Sequence, residues 1–188
     1  KIMRFTGTYD QDQLLDESLP ITWRHINKLA GCGALGDLGS HLLSISQFIM
    51  GDITKVNAVA TTVFPKRPKS AGSTEMVDVE NEDIMTFMAE YANGAIGQIA
   101  CSRVATGRKN YLTYEIQGTK GSVRYDLERM GEVQVYFQSD NERDRGFYDK
   151  LIAALIDGEM VGIRALRGTP NFPAEQSETV ARSTTPMK

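Results

Sequence analysis

Apolar and polar residues alternate from Ile2 to Tyr9, through Phe5 and two threonines, so the chain opens with a predicted strand over residues 2–9. An acidic loop follows. Residues 10–20 hold four Asp or Glu and no regular apolar period, and Trp23 is the first bulky anchor, expected to pack this loop down. The period then changes: Leu35, Leu38, Leu42, Ile45 and Ile49 recur at three- and four-residue steps and predict a helix running to Met50, with one apolar stripe facing a core. Gly51-Asp52 stops it, and residues 53–64, rich in Val, Thr and Ala, read as the next strand. Residues 65–74 read as a loop. Its Lys66, Arg67 and Lys69, set beside two prolines, fit a solvated tip better than a phosphate or nucleic-acid patch.

Residues 82–137 have the pattern of a meander. Ile84–Tyr91 and residues 95–104 flank Asn93-Gly94, a two-residue hairpin signal because both positions tolerate positive φ. Strands at 111–117, 122–127 and 133–137 follow, separated by Gly118-Thr-Lys-Gly121 and Gly131. Several strands are apolar on both faces, as with Met85, Phe87 and Ala89 against Ile84, Thr86 and Met88. One face should then carry helices and the other meet a second subunit or domain. The expected class is α+β, a large, mostly antiparallel open sheet with helices on one face. Phe147, Leu151, Ala154 and Leu155 fall at helical spacing and predict a helix over 147–157, whereas residues 169–188, with three prolines, read as an irregular tail.

Composition narrows the classes of function. A length of 188 residues suits one domain with a real core, and a net charge of -3 with acids and bases interspersed favours neither nucleic acid nor an anionic membrane. The longest uncharged run, 38–51, falls short of the ~20 apolar residues of a membrane span. Cys32 and Cys101 lack metal-type spacing and read as reduced thiols, which points to the cytoplasm and to no metal site. The chain begins at Lys1 and enters its first strand at once, as a piece cut from a longer protein would.

Candidate chemistry centres on the start of the helix. Asp37 and His41 lie four residues apart, roughly a quarter turn from the apolar stripe, and so beside the core. Gly36 and Gly39 stand in the same turns, as if to leave room for a ligand. The first turns of a helix favour an anion at Asp37 and disfavour a cation at His41, which suits His41 to accept a proton while Asp37 fixes its ring. Such a pair is also a common surface ion pair. His25, the other histidine, reads as a loop or interface residue. Gly31-Cys-Gly-Ala-Leu-Gly36 fits G-x-G-x-x-G, but a pyrophosphate turn needs a buried strand feeding the glycines, and Trp23-Arg-His-Ile-Asn-Lys-Leu-Ala30 is not one.

Taken together, Trp23-Arg24, Gly33-Ala-Leu-Gly-Asp-Leu-Gly-Ser-His41, Glu82-Asp83, Asn93-Gly94-Ala-Ile-Gly97, Ser102-Arg103-Val-Ala-Thr-Gly-Arg108 and Gly118-Thr-Lys-Gly121 resemble the C-terminal domain of the glucose-fructose oxidoreductase/inositol dehydrogenase family. The resemblance runs over about residues 1–137. It implies oxidation of a sugar or cyclitol hydroxyl with NAD or NADP, or reduction of the matching ketone. In the family the helix aspartate and histidine, here Asp37 and His41, work with a lysine from a Glu-Lys-Pro segment of an N-terminal Rossmann domain; the resemblance implies that His41 takes the hydroxyl proton, that Asp37 orients His41 or holds a neighbouring hydroxyl, and that the lysine polarises the oxygen. Tyr9, Gln11 and Arg108 are candidates for holding other hydroxyls of the substrate.

Three departures accompany the resemblance. Neither a strand-coupled glycine fingerprint nor Glu-Lys-Pro occurs in the chain, so the cofactor should be bound mainly by a domain outside it. Ser44 stands where many relatives carry an acid, and the family's closing helix and strand do not align after about Pro173. The expectation is the substrate half of a dehydrogenase, inactive alone, that forms a homodimer or homotetramer through its open sheet face. The rival is a non-catalytic assembly module with an incidental Asp/His pair.

Overall fold

The computed structural model describes residues 1–151. Among them are strands β1 (Ile2–Asp10), β2 (Ile53–Thr61), β3 (Lys66–Pro68), β4 (Met76–Asp78), β5 (Ile84–Tyr91), β6 (Ile96–Ser102), β7 (Tyr111–Gly118), β8 (Gly121–Asp126), β9 (Glu132–Phe137) and β10 (Tyr148–Leu151). Two helices, α1 (Asn27–Ala30) and α2 (Ser40–Met50), lie between β1 and β2. Eight strands form one sheet in the order β10-β9-β8-β7-β1-β6-β5-β2, and β3 and β4 pair separately.

The sheet is antiparallel except at one place. β1 enters between β6 and β7, antiparallel to β7 and parallel to β6. This corrects the meander reading: the first strand of the chain divides β6 from β7, and its Phe5, Gly7 and Tyr9 are buried on one face. The register brings the carboxyl end of β1 beside that of β6 and the start of β7, with Asp10 opposite Ser102 on one side and Tyr111 on the other. β5 begins at the same end, Ile84 opposite Ser102. Loops from four strands therefore converge on one edge of the sheet.

α2 packs across β1 and β6. Leu38, Leu42 and Met50 are buried against Phe5, Phe87, Ala89, Tyr91 and Ile99, with Leu35, Ile45 and Ile49 flanking them. Residues at alternate positions of β5 and β6 point to the opposite face, which carries no helix among the described residues and leaves Met88 63% and Ile96 57% exposed. The turn after β5 pins the far end of α2. Asn93 Nδ2 donates to the Met50 carbonyl while its Oδ1 accepts from Ala95 N–H. Only Gly94 takes a positive φ, +80°, so this is a turn closed by Gly94, not a two-residue turn with both residues left-handed.

Three further expectations are corrected. Residues 65–74 are not wholly loop, since Lys66–Pro68 pairs with Met76–Asp78. Alternation in β3 turns Arg67 inward between exposed Lys66 and Lys69, and its guanidinium donates to the carbonyls of Asp16 and Leu14. That cation anchors the acidic loop, where Trp23 was expected to; Trp23 is 52% exposed beneath the Arg24 guanidinium. Finally, Tyr148–Leu151 is a strand on β9, with Phe137–Tyr148 and Tyr136–Phe147 rings in contact across it, so the helix expected from residue 147 does not form there. The remainder of that helix and the 169–188 tail lie outside the described residues.

Candidate active site

The helix that carries Asp37 and His41 begins irregularly. Between Leu35 and Gly39 it widens, and Ser40 N–H reaches the Leu35 carbonyl, an i→i−5 bond, before regular α2 starts. Such a single wide turn is frequent at functional sites because it re-aims the side chains around it. It is held by close contacts on its buried side. Gly39 faces the sheet, where a Cβ would stand 3.2 Å from Cys101 Sγ, so this glycine brings the helix onto β6 and does not open space for a ligand. Gly36 is exposed.

The helix end is capped from another segment. Glu82, just before β5, accepts from Gly33 N–H at 3.0 Å and Leu35 N–H at 2.9 Å through its carboxylate, and from Ala34 N–H at 3.0 Å through its carbonyl. A Cβ on Gly33 would lie 1.9 Å from that carbonyl oxygen. Glycine is required there for backbone to meet backbone. The G-x-G-x-x-G run therefore follows the short helix α1, and the amides a pyrophosphate would need are already bound to Glu82. Gly31 to Gly36 does not fit a dinucleotide.

Asp37 is paired away from His41. Its Oδ2 lies 3.4 Å from Arg24 Nε and accepts from Gln13 Nε2 at 3.4 Å. His41 makes no hydrogen bond among the described residues; its exposed ring stands edge-on to Tyr9, 5.7 Å between centroids. This corrects the expectation that Asp37 holds the imidazole. The carboxylate lies against Arg24 and Gln13, and the ring packed on the imidazole is that of Tyr9.

Tyr9 opens onto a polar cluster. Its hydroxyl donates to Asn110 Oδ1 at 2.7 Å, and Gln11 Nε2 donates to the same oxygen at 3.0 Å. Two donors on Asn110 Oδ1 leave the Asn110 amide nitrogen to face outward as a donor. Gln11 is placed by its backbone, which bonds to Ser102 and Ala105 at the end of β6. The structure thus gathers Tyr9, Gln11 and His41, adds Asn110, and sets Asp37 next to Arg24 and Gln13. Asn110, Gln13 and Arg24 carry no periodic signal: Gln13 and Arg24 reach Asp37 from the loop after β1, and Asn110 reaches Tyr9 because the start of β7 lies beside the end of β1.

Arg108 is not in this cluster. Its guanidinium lies 3.5 Å over the Tyr111 ring and pairs with Glu128, and Tyr111 alternates with Leu112, so it points to the face opposite Tyr9. Asp10 shares that face; burial pushes its carboxyl up, partly opposed by Arg108. His25 is fully buried, contrary to a loop or interface position. Thr22 N–H donates to its Nδ1 at 3.0 Å, and burial, with the nearby charges of Arg67 and Arg103, pushes its pKa down. Burial, reinforced by the charge of Glu82, raises the Cys101 thiol to about 12, so it stays protonated beneath Gly39. Among the described residues no group of three or more His, Cys, Asp or Glu is placed to hold a metal ion.

Comparison with known proteins gives the family of the chain. A levoglucosan dehydrogenase from Pseudarthrobacter phenanthrenivorans is 41% identical over 160 residues, which are 78% of this chain and 40% of that protein. A levoglucosan dehydrogenase structure in complex with NADH and levoglucosan superposes with a TM-score of 0.75 at 40% identity, over 80% of this chain and 40% of that one. An NAD-binding oxidoreductase from Klebsiella pneumoniae matches with a TM-score of 0.76 at 42% identity, over 80% and 39%. The chain spans about two fifths of the length of these relatives. Residues 1–124 match the model of the GFO/IDH/MocA C-terminal domain, and the chain belongs to that family.

Proposed function

We propose that this chain is the substrate-binding and proton-accepting half of an NAD- or NADP-dependent dehydrogenase that oxidises a hydroxyl of a sugar, sugar derivative or cyclitol. The observation that carries the reading is the exposed His41 ring, steered by Tyr9 toward a polar cluster of Gln11 and Asn110. The sugar class is supported by relatives named levoglucosan dehydrogenase and D-apiose dehydrogenase.

Oxidation of a carbinol removes a proton from oxygen and a hydride from the same carbon. A neutral imidazole nitrogen of His41 accepts the proton, which requires the hydroxyl within about 3 Å of it. The nicotinamide, held by a domain outside this chain, supplies the hydride acceptor. Asp37, fixed by Arg24, offers its remaining carboxylate lone pairs to a neighbouring hydroxyl. The Asn110 amide and Gln11 hold a further hydroxyl, so the sugar is oriented at more than one point before the proton moves. The helix-free sheet face, with Val59, Met88 and Ile96 exposed, supports assembly into a homodimer or homotetramer. Two free thiols support a cytoplasmic setting.

The full-length protein incubated with NAD or NADP and a panel of levoglucosan, aldoses and cyclitols should reduce the nicotinamide with at least one of them. Absence of reduction across the panel, with the nucleotide bound, would favour the rival reading of an assembly module built on the open sheet face.

A further inference from the structure

Asn81, Glu82 and Arg103 form a hydrogen-bonded group behind the helix end that carries Asp37 and His41. Asn81 Nδ2 donates to the Arg24 carbonyl at 2.7 Å, and Arg103 Nη1 donates to the same oxygen at 3.2 Å. That carbonyl belongs to the residue whose side chain holds Asp37. One residue along, Glu82 binds the amides of Gly33, Ala34 and Leu35, the start of the helix that presents Asp37 and His41. Arg103 ties the two arms together: Nη2 donates to the Glu82 carbonyl at 3.0 Å, to Asn81 Oδ1 at 3.2 Å and to Asp83 Oδ1 at 3.4 Å. Asn81 is 4% exposed and Arg103 0%. The cluster around His41 touches none of the three.

We propose that Asn81, Glu82 and Arg103 form a buried clamp that positions the reaction. Asn81 and Arg103 set the Arg24 backbone, Glu82 sets the helix end, and the gap between them fixes where Asp37 and His41 stand relative to Tyr9 and Gln11. The inference rests on the dehydrogenase reading above. A clamp of this kind matters because displacement of a proton acceptor by about 1 Å costs on the order of a hundredfold in rate. Its two arms act on different segments, yet both converge on the Arg24–Asp37 contact.

The test uses the full-length protein and three variants. Glu82→Gln keeps the side-chain volume and one acceptor oxygen for Leu35 and Gly33 N–H, but removes the carboxylate charge at the helix end and sets an amide donor against Gly33 N–H where Oε2 now accepts. Asn81→Ser shortens the donor to the Arg24 carbonyl and leaves the helix arm intact. His41→Ala reports on the underlying reading. Glu82→Gln and Asn81→Ser should each lower kcat by about tenfold or more while KM for the nucleotide is unchanged. If His41→Ala is inactive while both clamp variants, whatever their melting temperatures, turn over at the wild-type kcat per folded molecule, the clamp is structural only and the proposal is wrong. If His41→Ala retains activity, the dehydrogenase role of His41 fails first. Should Glu82→Gln not fold, the Asn81→Ser kcat decides alone.

Discussion

Arg24 Nε stands 3.4 Å from Asp37 Oδ2, and this ion pair, formed between a loop and a helix end, takes the carboxylate that helical spacing would give to His41. The two side chains are 40% and 27% exposed, so solvent screens the pair and its contribution to stability is below about 1 kcal/mol. Arg24→Ala should therefore leave the unfolding midpoint almost unchanged and lower kcat/KM for the sugar in the full-length protein. Parallel thermal unfolding and steady-state kinetics check this; unchanged kinetics would mean that Asp37 needs no partner.

Tyr9 contributes a ring and a hydroxyl that separate cleanly. Tyr9→Phe keeps the edge contact with His41 and removes the 2.7 Å bond to Asn110. Loss of one hydrogen bond of about 1 kcal/mol should raise KM for the sugar roughly fivefold with kcat little affected. A large fall in kcat instead would place the Tyr9 hydroxyl in the proton transfer itself.

Asp83 is fully buried, pairs with Arg103 and also accepts from Val63 N–H at 2.8 Å and Phe64 N–H at 3.2 Å. Asp83→Asn leaves the Arg103 cation without its counter-charge inside the protein. Removing one partner of a buried pair costs about 3–5 kcal/mol, which urea unfolding would register as a large drop in midpoint.

His25 makes stability depend on pH with a defined sign. Its folded pKa is pushed below the ordinary 6.5 by burial and by Arg67 and Arg103, so the unfolded chain binds the proton more readily. Its contribution is fully present above 6.5 and is lost as pH falls through that value toward the folded pKa. His25→Asn, whose Oδ1 can accept from Thr22 N–H as Nδ1 does, should flatten the fall in unfolding free energy as pH drops below about 6.5. An equally steep fall in the variant would assign the dependence to other groups.

Local patterns carried much of the fold. Ile84–Tyr91, an apolar run that ends just before the Asn93-Gly94 turn signal, has the bounds of β5, and the leucine steps from Leu35 to Ile49 find α2 and its buried side. What escaped depends on partners distant in sequence. Alternation in residues 2–9 defines a strand but not its neighbours, so the insertion of β1 between β6 and β7 is invisible locally. Arg67 looks solvated between two lysines until β3 pairs with β4 and turns it inward. At the site, Asp37, His41, Tyr9 and Gln11 are legible from motif and placement. Arg24 as the Asp37 partner and Asn110 as the cap on Tyr9 are not, because the first needs the wide turn at Leu35–Gly39 and the second needs the start of β7 beside the end of β1. The spacing of Phe147 and Leu151 fits a helix, but cross-strand aromatic contacts with Tyr136 and Phe137 draw 148–151 onto the sheet instead.

Proton acceptance by His41 is the central claim, and turnover of His41→Ala in the full-length protein tests it most directly, with nucleotide affinity measured on the same preparation. The account predicts a loss of two or more orders of magnitude in kcat, in line with the ~10²–10⁴ contributed by general base catalysis, while the nucleotide binds as before. Turnover at the wild-type rate with the same sugar would contradict it.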